Sequence, residues 1–237
     1  MSAVPELIVA LDLPSARAAL DLVDRLGDAV RWYKVGPVLH VADGPAVVRA
    51  LRERGRSVFL DLKWHDIPST VAGAVTAARE GGVALATVHL AGGARMLAAA
   101  VAARGAAGAP GDGLRLVGVG VLTSLDADGY AAVVGRPVPD VAAEQQRLVR
   151  LGVEAGLDGF VAAAPEAHAV RAAAGPRALI VVPGVRRVTD AAADQARTAT
   201  PREAVEAGAD YVVVGRPVTR AADPAREALA LAAELRP

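Results

Sequence analysis

Eight times between Leu7 and Leu235, a short aliphatic run gives way to an Ala-, Leu- and Arg-rich stretch of helical character. The first five runs are "LIVALD" (Leu7 to Asp12), "VRWYKVG" (Val30 to Gly36), "SVFLDLK" (Ser57 to Lys63), "LATVHL" (Leu85 to Leu90) and "LRLVGVGVL" (Leu114 to Leu122). "LDGFVA", "RALIVVPG" and "DYVVVG" complete the series. Strands alternating with helices build parallel βαβ units, and near-continuous apolar strands belong to a sheet covered on both faces. Eight such units in 237 residues predict a (β/α)8 barrel of the TIM type, an α/β fold spanning residues 1–237 as one domain. A doubly wound open sheet is the other architecture that the alternation allows.

The connections carry their own signals. The second strand is expected to lead into a helix at "GPAVVRALRERG", and the fifth into a loop followed by the helix "DVAAEQQRLVRLGVEAG". "GAAGAPGDG" (Gly105 to Gly113) reads as a plain Gly/Pro connection. The segment between Val182 and Pro201 is longer than most such connections, and long connections are often lids or binding loops.

Composition narrows the function. The AVILMFWYC residues make up 53% with few aromatics, so the core must be built from Ala, Val and Leu. There is no cysteine, which excludes disulfides and thiolate chemistry. A formal net charge of zero, without a basic stripe or acidic tail, argues against nucleic-acid and membrane partners. "MSAVPELIVALDL" lacks the basic start and long apolar run of a signal peptide, and no stretch is apolar enough to span a bilayer. The expectation is a soluble cytoplasmic protein.

Only two of the 26 basic residues are lysines, Lys34 and Lys63. A chain that writes Arg wherever a positive charge suffices keeps Lys where a compact ammonium able to release a proton is needed. Both lie at the ends of strands, where the catalytic groups of such barrels collect. Asp12 closes the first strand, Lys34 the second, and Asp61 and Lys63 the third. Residues two apart on a strand share a face, so Asp61 and Lys63 should point the same way, with Lys34 in reach from the neighbouring strand. Asp66 follows the turn before Pro68; an N-cap of the next helix and a functional carboxylate are both open readings. A lysine held between carboxylates is charged and fixed in direction, ready to protonate a carbanion-like carbon.

The far end of the chain reads as an anion site. "VVPGVRR" follows the seventh strand and "VVVGRP" the eighth, where these barrels often hold a phosphate at a short helix N-terminus. Gly184 and Gly215 permit close backbone approach, Arg216 can grip phosphate oxygens, and Arg186 and Gln195 lie on the long loop. Arg187 has a weaker claim. His40, His65, His89 and His168 show no metal-ligand spacing, so no metal is expected, and His89 reads as a hydrogen bonder in the core or just behind the site rather than as a ligand.

Taken together these residues resemble the orotidine 5′-phosphate decarboxylase family. "DLKWHDIPST" is similar to its D-x-K-x-x-D-I-P signature, and "ALDLP", "YKVGP", "GVLTS", "VPGVR", "ADQ" and "VVGRPV" follow the family order from Leu7 to Pro224. The resemblance implies a cofactor-free decarboxylation of orotidine 5′-phosphate to uridine 5′-phosphate in pyrimidine biosynthesis. It implies that Lys34, Asp61, Lys63 and Asp66 form an alternating charge array, with Lys63 protonating C6. Asp66 would come from the partner of a homodimer, with Ile67 and Thr70 beside it. Asp12 and Lys34 would hold ribose hydroxyls and Thr123 the pyrimidine edge, with Ser124 a lesser candidate. Pro183, Arg186, Gln195, Gly215 and Arg216 would serve the phosphate end, under a closing loop. Trp64, Ser69 and Leu90 depart from the family pattern without removing a charged group. Two rivals remain: a metal-dependent enzyme of keto-sugar phosphates, for which "WYKVGP" lacks an extra carboxylate, and a non-catalytic phosphate-binding barrel.

Overall fold

In the computed structural model, which describes residues 4–106, 113–187 and 199–236, the first strand pairs in parallel with the second and with the last. That closes the sheet and excludes the open doubly wound alternative. The strands are β1 (Glu6–Ala10), β2 (Trp32–Val35), β3 (Ser57–Trp64), β4 (Leu85–His89), β5 (Arg115–Val119), β6 (Gly159–Val161), β7 (Leu179–Val182) and β8 (Tyr211–Val214). Around them run α1 (Ala16–Leu26), α2 (Pro37–Glu53), α3 (Pro68–Glu80), α4 (Gly93–Arg104), α5 (Ala127–Val134) and α6 (Val141–Ala155). Then follow α7 (Ala164–Ala174), α8 (Pro201–Glu206), α9 (Arg216–Thr219) and α10 (Pro224–Glu234). No helix among the described residues is long and apolar enough to cross a membrane.

Local chemistry explains where the helices begin. Ser15, Asp140 and Asp223 accept N–H groups from the first turns of α1, α6 and α10, and Thr200 with Glu203 closes a capping box on α8. Proline opens α2, α3 and α10, where its missing N–H costs nothing.

Two connections differ from the sequence expectation. Helix α2 starts at Pro37 rather than near Gly44 and continues through a kink at Asp43, so "DGP" bends the helix instead of starting it. The loop after β5 contains a helix of its own, α5, capped by Asp126 and ended by left-handed Gly135. Of the Gly105 to Gly113 connection, residues 107–112 lie outside the described residues.

The barrel interior is filled by Ile8, Trp32, Phe59, Leu85, Val117 and Val213, with Tyr211 against the edge of Trp32 at 5.1 Å. Residues of the opposite alternation, such as Val9, Tyr33, Leu60 and Val88, pack outward against the helices. Burial raises the Tyr33 hydroxyl to about 12. Leu90, just past β4, is fully buried on this outer side. A methyl group added at Gly118 would sit 2.5 Å from its Cδ2, and one at Gly152 2.9 Å, so the two glycines form its socket.

The N-terminal rim of the barrel is fastened twice by one device. Asp158, at the start of β6, accepts the Leu116 N–H of β5 at 2.7 Å and pairs with Arg104 of α4. Two strands on, Asp210 before β8 accepts the Ile180 N–H of β7 at 2.7 Å and pairs with Arg171 of α7 at 2.8 Å. The same arginine donates to the Gly208 carbonyl at 2.8 Å. Each carboxylate is thus satisfied by both an ion pair and a backbone donor, which the drier Arg104–Asp158 pair in particular requires.

Candidate active site

At the opposite rim, four charged residues form one row. The Lys34 ammonium donates to Asp12 Oδ1 at 3.0 Å and lies 3.7 Å from Asp61 Oδ2, while Lys63 Nζ donates to Asp61 Oδ1 at 2.8 Å. Gly36 makes room for the first pair, since a Cβ there would stand 3.0 Å from Asp12 Oδ1 and 3.1 Å from Lys34 Nζ. The inner members are the drier ones: the side chains of Lys34 and Asp61 keep 12% and 14% of their exposure, Lys63 37% and Asp12 60%. Removing one member would strand a charge in a poorly hydrated place.

Strand alternation alone does not bring Asp61 and Lys63 together. The pairing of β3 with β4 slips between Leu60 and Trp64, and Lys63 adopts φ of 50°, the one left-handed non-glycine among the described residues. Such a backbone costs about 1 kcal/mol or more and persists only where neighbours impose it. Thr87 on β4 imposes it: its fully buried hydroxyl accepts the Lys63 N–H at 2.8 Å and donates to Asp61 Oδ1 at 3.1 Å. Sequence reading passed over Thr87, whose only signal is a hydroxyl at an inward position of an otherwise apolar strand.

The row opens on a cavity of about 1020 Å³, ample for a ligand the size of a nucleotide. Asp12, Lys34, Asp61 and Lys63 line one side, and Leu122 and Thr123 form part of the wall, whereas Ser124 does not. Pro183, Gly184, Arg186, Gly215 and Arg216, from the ends of the neighbouring β7 and β8, line the cavity as well, with Gly215 at the N-cap of the short helix α9 as the sequence led one to expect. Glu166 at the start of α7 and Arg220 after α9 also line it; their place on the strand-end rim was the signal available for both. The ends of the long connection are clasped by the Val185–Ala199 bridge and by the Arg186 N–H on the Ala199 carbonyl at 2.9 Å. Gln195 lies outside the described residues. Arg187 turns away to Glu227 and Glu234 of α10.

Asp66, Ile67 and Thr70 are not joined to the row within the chain. All three are exposed, Ile67 at 64%, and none lines the cavity. Asp66 is not the cap of α3 either: Ile67 holds that position without a side-chain cap, and Asp66 Oδ1 accepts the Ile67 N–H at 2.6 Å. His65 stacks on His89 with ring centroids 5.0 Å apart. Burial, with His65 and Lys63 nearby, pushes the His89 imidazole below its usual range, and its Nδ1 accepts the Ala91 N–H at 3.2 Å. It is a hydrogen bonder, as expected from the sequence. Among the described residues no three His, Asp or Glu side chains gather into a metal-binding group.

A closed (β/α)8 barrel with a charged cavity at the carboxyl ends of its strands belongs to the large class of barrel enzymes. The family model "Orotidine 5′-phosphate decarboxylase / HUMPS family" matches residues 5–231. Orotidine 5′-phosphate decarboxylase of Anaeromyxobacter sp. (strain K) is 53% identical over 95% of this chain and 96% of its own. That of Moorella thermoacetica is 47% identical over 99% and 94%. The crystal structure of the Lactobacillus acidophilus orotidine 5′-phosphate decarboxylase superposes with a TM-score of 0.86 at 32% identity, covering 98% of this chain and all of that one. The chain belongs to the orotidine 5′-phosphate decarboxylase / HUMPS family and is a carbon–carbon lyase.

Proposed function

We propose that this protein converts orotidine 5′-phosphate to uridine 5′-phosphate and CO₂ without metal or organic cofactor, in the cytoplasm, as a homodimer. The observation that carries the reading is the Asp12–Lys34–Asp61–Lys63 row lining one cavity together with Arg186 and Arg216. With the phosphate at the arginine side, the pyrimidine lies toward Thr123 and its C6 toward Lys63. As the bond from C6 to the carboxylate carbon breaks, the electron pair remains on C6 and CO₂ departs. Lys63 delivers a proton to that carbon and recovers it from solvent. Asp61 fixes the ammonium in direction and, by like-charge repulsion, disfavours the bound carboxylate. The phosphate contributes binding energy far from the reacting carbon, where it can be spent on ordering the site. Asp12 and Lys34 hold the ribose hydroxyls.

Asp66 completes the charge array of the partner, with Ile67 and Thr70 at its side. Their exposure in one chain supports this, as does the exposure of Val38 and Val41 at the start of α2, at 64% and 86%. The deciding experiment follows the near-ultraviolet band of orotidine 5′-phosphate with purified protein in excess EDTA. Loss of the band, slowed about a thousandfold or more by Lys63→Ala, is the expected result. Turnover of a keto-sugar phosphate only with added Mg²⁺ would place the protein with the metal-dependent members instead.

A further inference from the structure

Beyond the residues that line the cavity, one buried amide sets the shape of its wall. Gln145, on the inner face of α6, is 3% exposed, and its Oε1 accepts the Val121 N–H at 2.8 Å. Val121 lies past the end of β5, so its N–H has left the strand ladder, and it stands two residues before Thr123. A buried amide is costly unless bonded, and an apolar side chain would pack this helix face at lower cost. Gly120 is the matching concession: a Cβ there would come within 2.1 Å of Gln145 Oε1 and 2.8 Å of its Cδ. A glycine gives a strand end no side chain to pack. Two locally unfavourable residues therefore fit each other, and their joint product is one fixed N–H at the root of the Leu122–Thr123 wall.

The neighbouring residue holds the far side of the same excursion. Glu144 Oε2 accepts from Arg136 at 2.9 Å and Oε1 from Arg147 at 2.7 Å, and Tyr130 of α5 faces it. The first turns of α6 thus grasp the β5–α6 connection at its start through Gln145 and at its end through Glu144.

We infer that Gln145 is a positioning residue, holding Thr123 at the height needed to recognise the base of the nucleotide. The inference rests on the decarboxylase reading. Because it acts on the base end alone, its signature is selective. Calorimetric titration with uridine 5′-phosphate and with ribose 5-phosphate separates base from sugar-phosphate binding. Gln145→Met keeps length and volume but loses the strong acceptor. It should weaken uridine 5′-phosphate about tenfold, the worth of one well-made hydrogen bond, and leave ribose 5-phosphate within about twofold. Gly120→Ala, which displaces the amide without altering it, should do the same. In a Thr123→Ala background, Gln145→Met should have no further effect on uridine 5′-phosphate. Equal weakening of both ligands, or an undiminished effect without Thr123, would reduce Gln145 to general packing and overturn the inference. Failure of the wild type to bind uridine 5′-phosphate would instead bring down the decarboxylase reading, and this inference with it.

Discussion

Replacing Gly118 by alanine adds one methyl group to the helix-facing side of β5, directly over Leu90. The new Cβ would lie 2.5 Å from Leu90 Cδ2 and 3.0 Å from Leu157 Cδ1, against an ordinary carbon–carbon separation of about 3.5–4.0 Å. Leu90 is fully buried, and the same Cδ2 is already hemmed in by Gly152, where a Cβ would stand 2.9 Å from it. Overpacking of this kind costs about 1–3 kcal/mol. Alanine gives back about 0.5–1 kcal/mol through the smaller entropy of its unfolded chain. The net loss therefore lies between about 0 and 2.5 kcal/mol, a fall of up to roughly 10 °C in Tm for a chain of this size. Urea unfolding followed by far-ultraviolet circular dichroism, at fixed protein concentration and with an unchanged m value, measures it. Leu90→Ala alone empties the socket and should cost about 2–5 kcal/mol. In the double variant the alanine methyl fills part of the vacated space, so the combined loss falls short of the sum by about 1 kcal/mol or more. A Gly118→Ala protein more stable than its parent, or strict additivity with Leu90→Ala, would refute the socket.

Two further outcomes follow from charges described above. The Arg147 and Arg136 guanidiniums, outweighing burial, hold the Glu144 carboxyl down to about 2, below its unfolded value of 4.5. A depressed carboxylate stabilises the fold above the unfolded pKa and loses that contribution as pH falls toward the folded one. Glu144→Gln should flatten the stability profile between about pH 4.5 and 2, by at most about 3 kcal/mol, with little change in slope above pH 5. For the proposed dimer, Lys63→Ala and Asp66→Asn are each expected to be nearly inactive alone. Mixing them under subunit exchange should restore activity, because a mixed dimer carries one site with both native residues; no recovery would place Asp66 outside the partner's site.

The barrel was legible because its strands are buried on both faces and therefore read as unbroken aliphatic runs. Helix α2 was misread at its start because Val38 and Val41 are exposed and "DGP" carries the chemistry of a break, yet the chain only kinks there. Lys34 and Lys63 stood out because the chain otherwise spends arginine on every cation. The left-handed turn at Lys63 had no sequence signal, and the hydroxyl of Thr87 that imposes it had only a faint one. Lysine carries no preference for positive φ, and threonine in a strand reads as an ordinary β-former. Asp66 shows a different limit: its distance from the row is a property of one chain, while its proposed role belongs to two.

The paired fastenings at Asp158 and Asp210 lie at the end of the barrel away from the cavity. Architecture and chemistry are thereby assigned to opposite ends of the same eight strands. In evolutionary terms the two ends answer to different selections: the floor to whether the chain folds, the roof to what it recognises. A lineage of such barrels can exchange its upper loops, and with them its preferred molecule, while inheriting the lower rim unchanged.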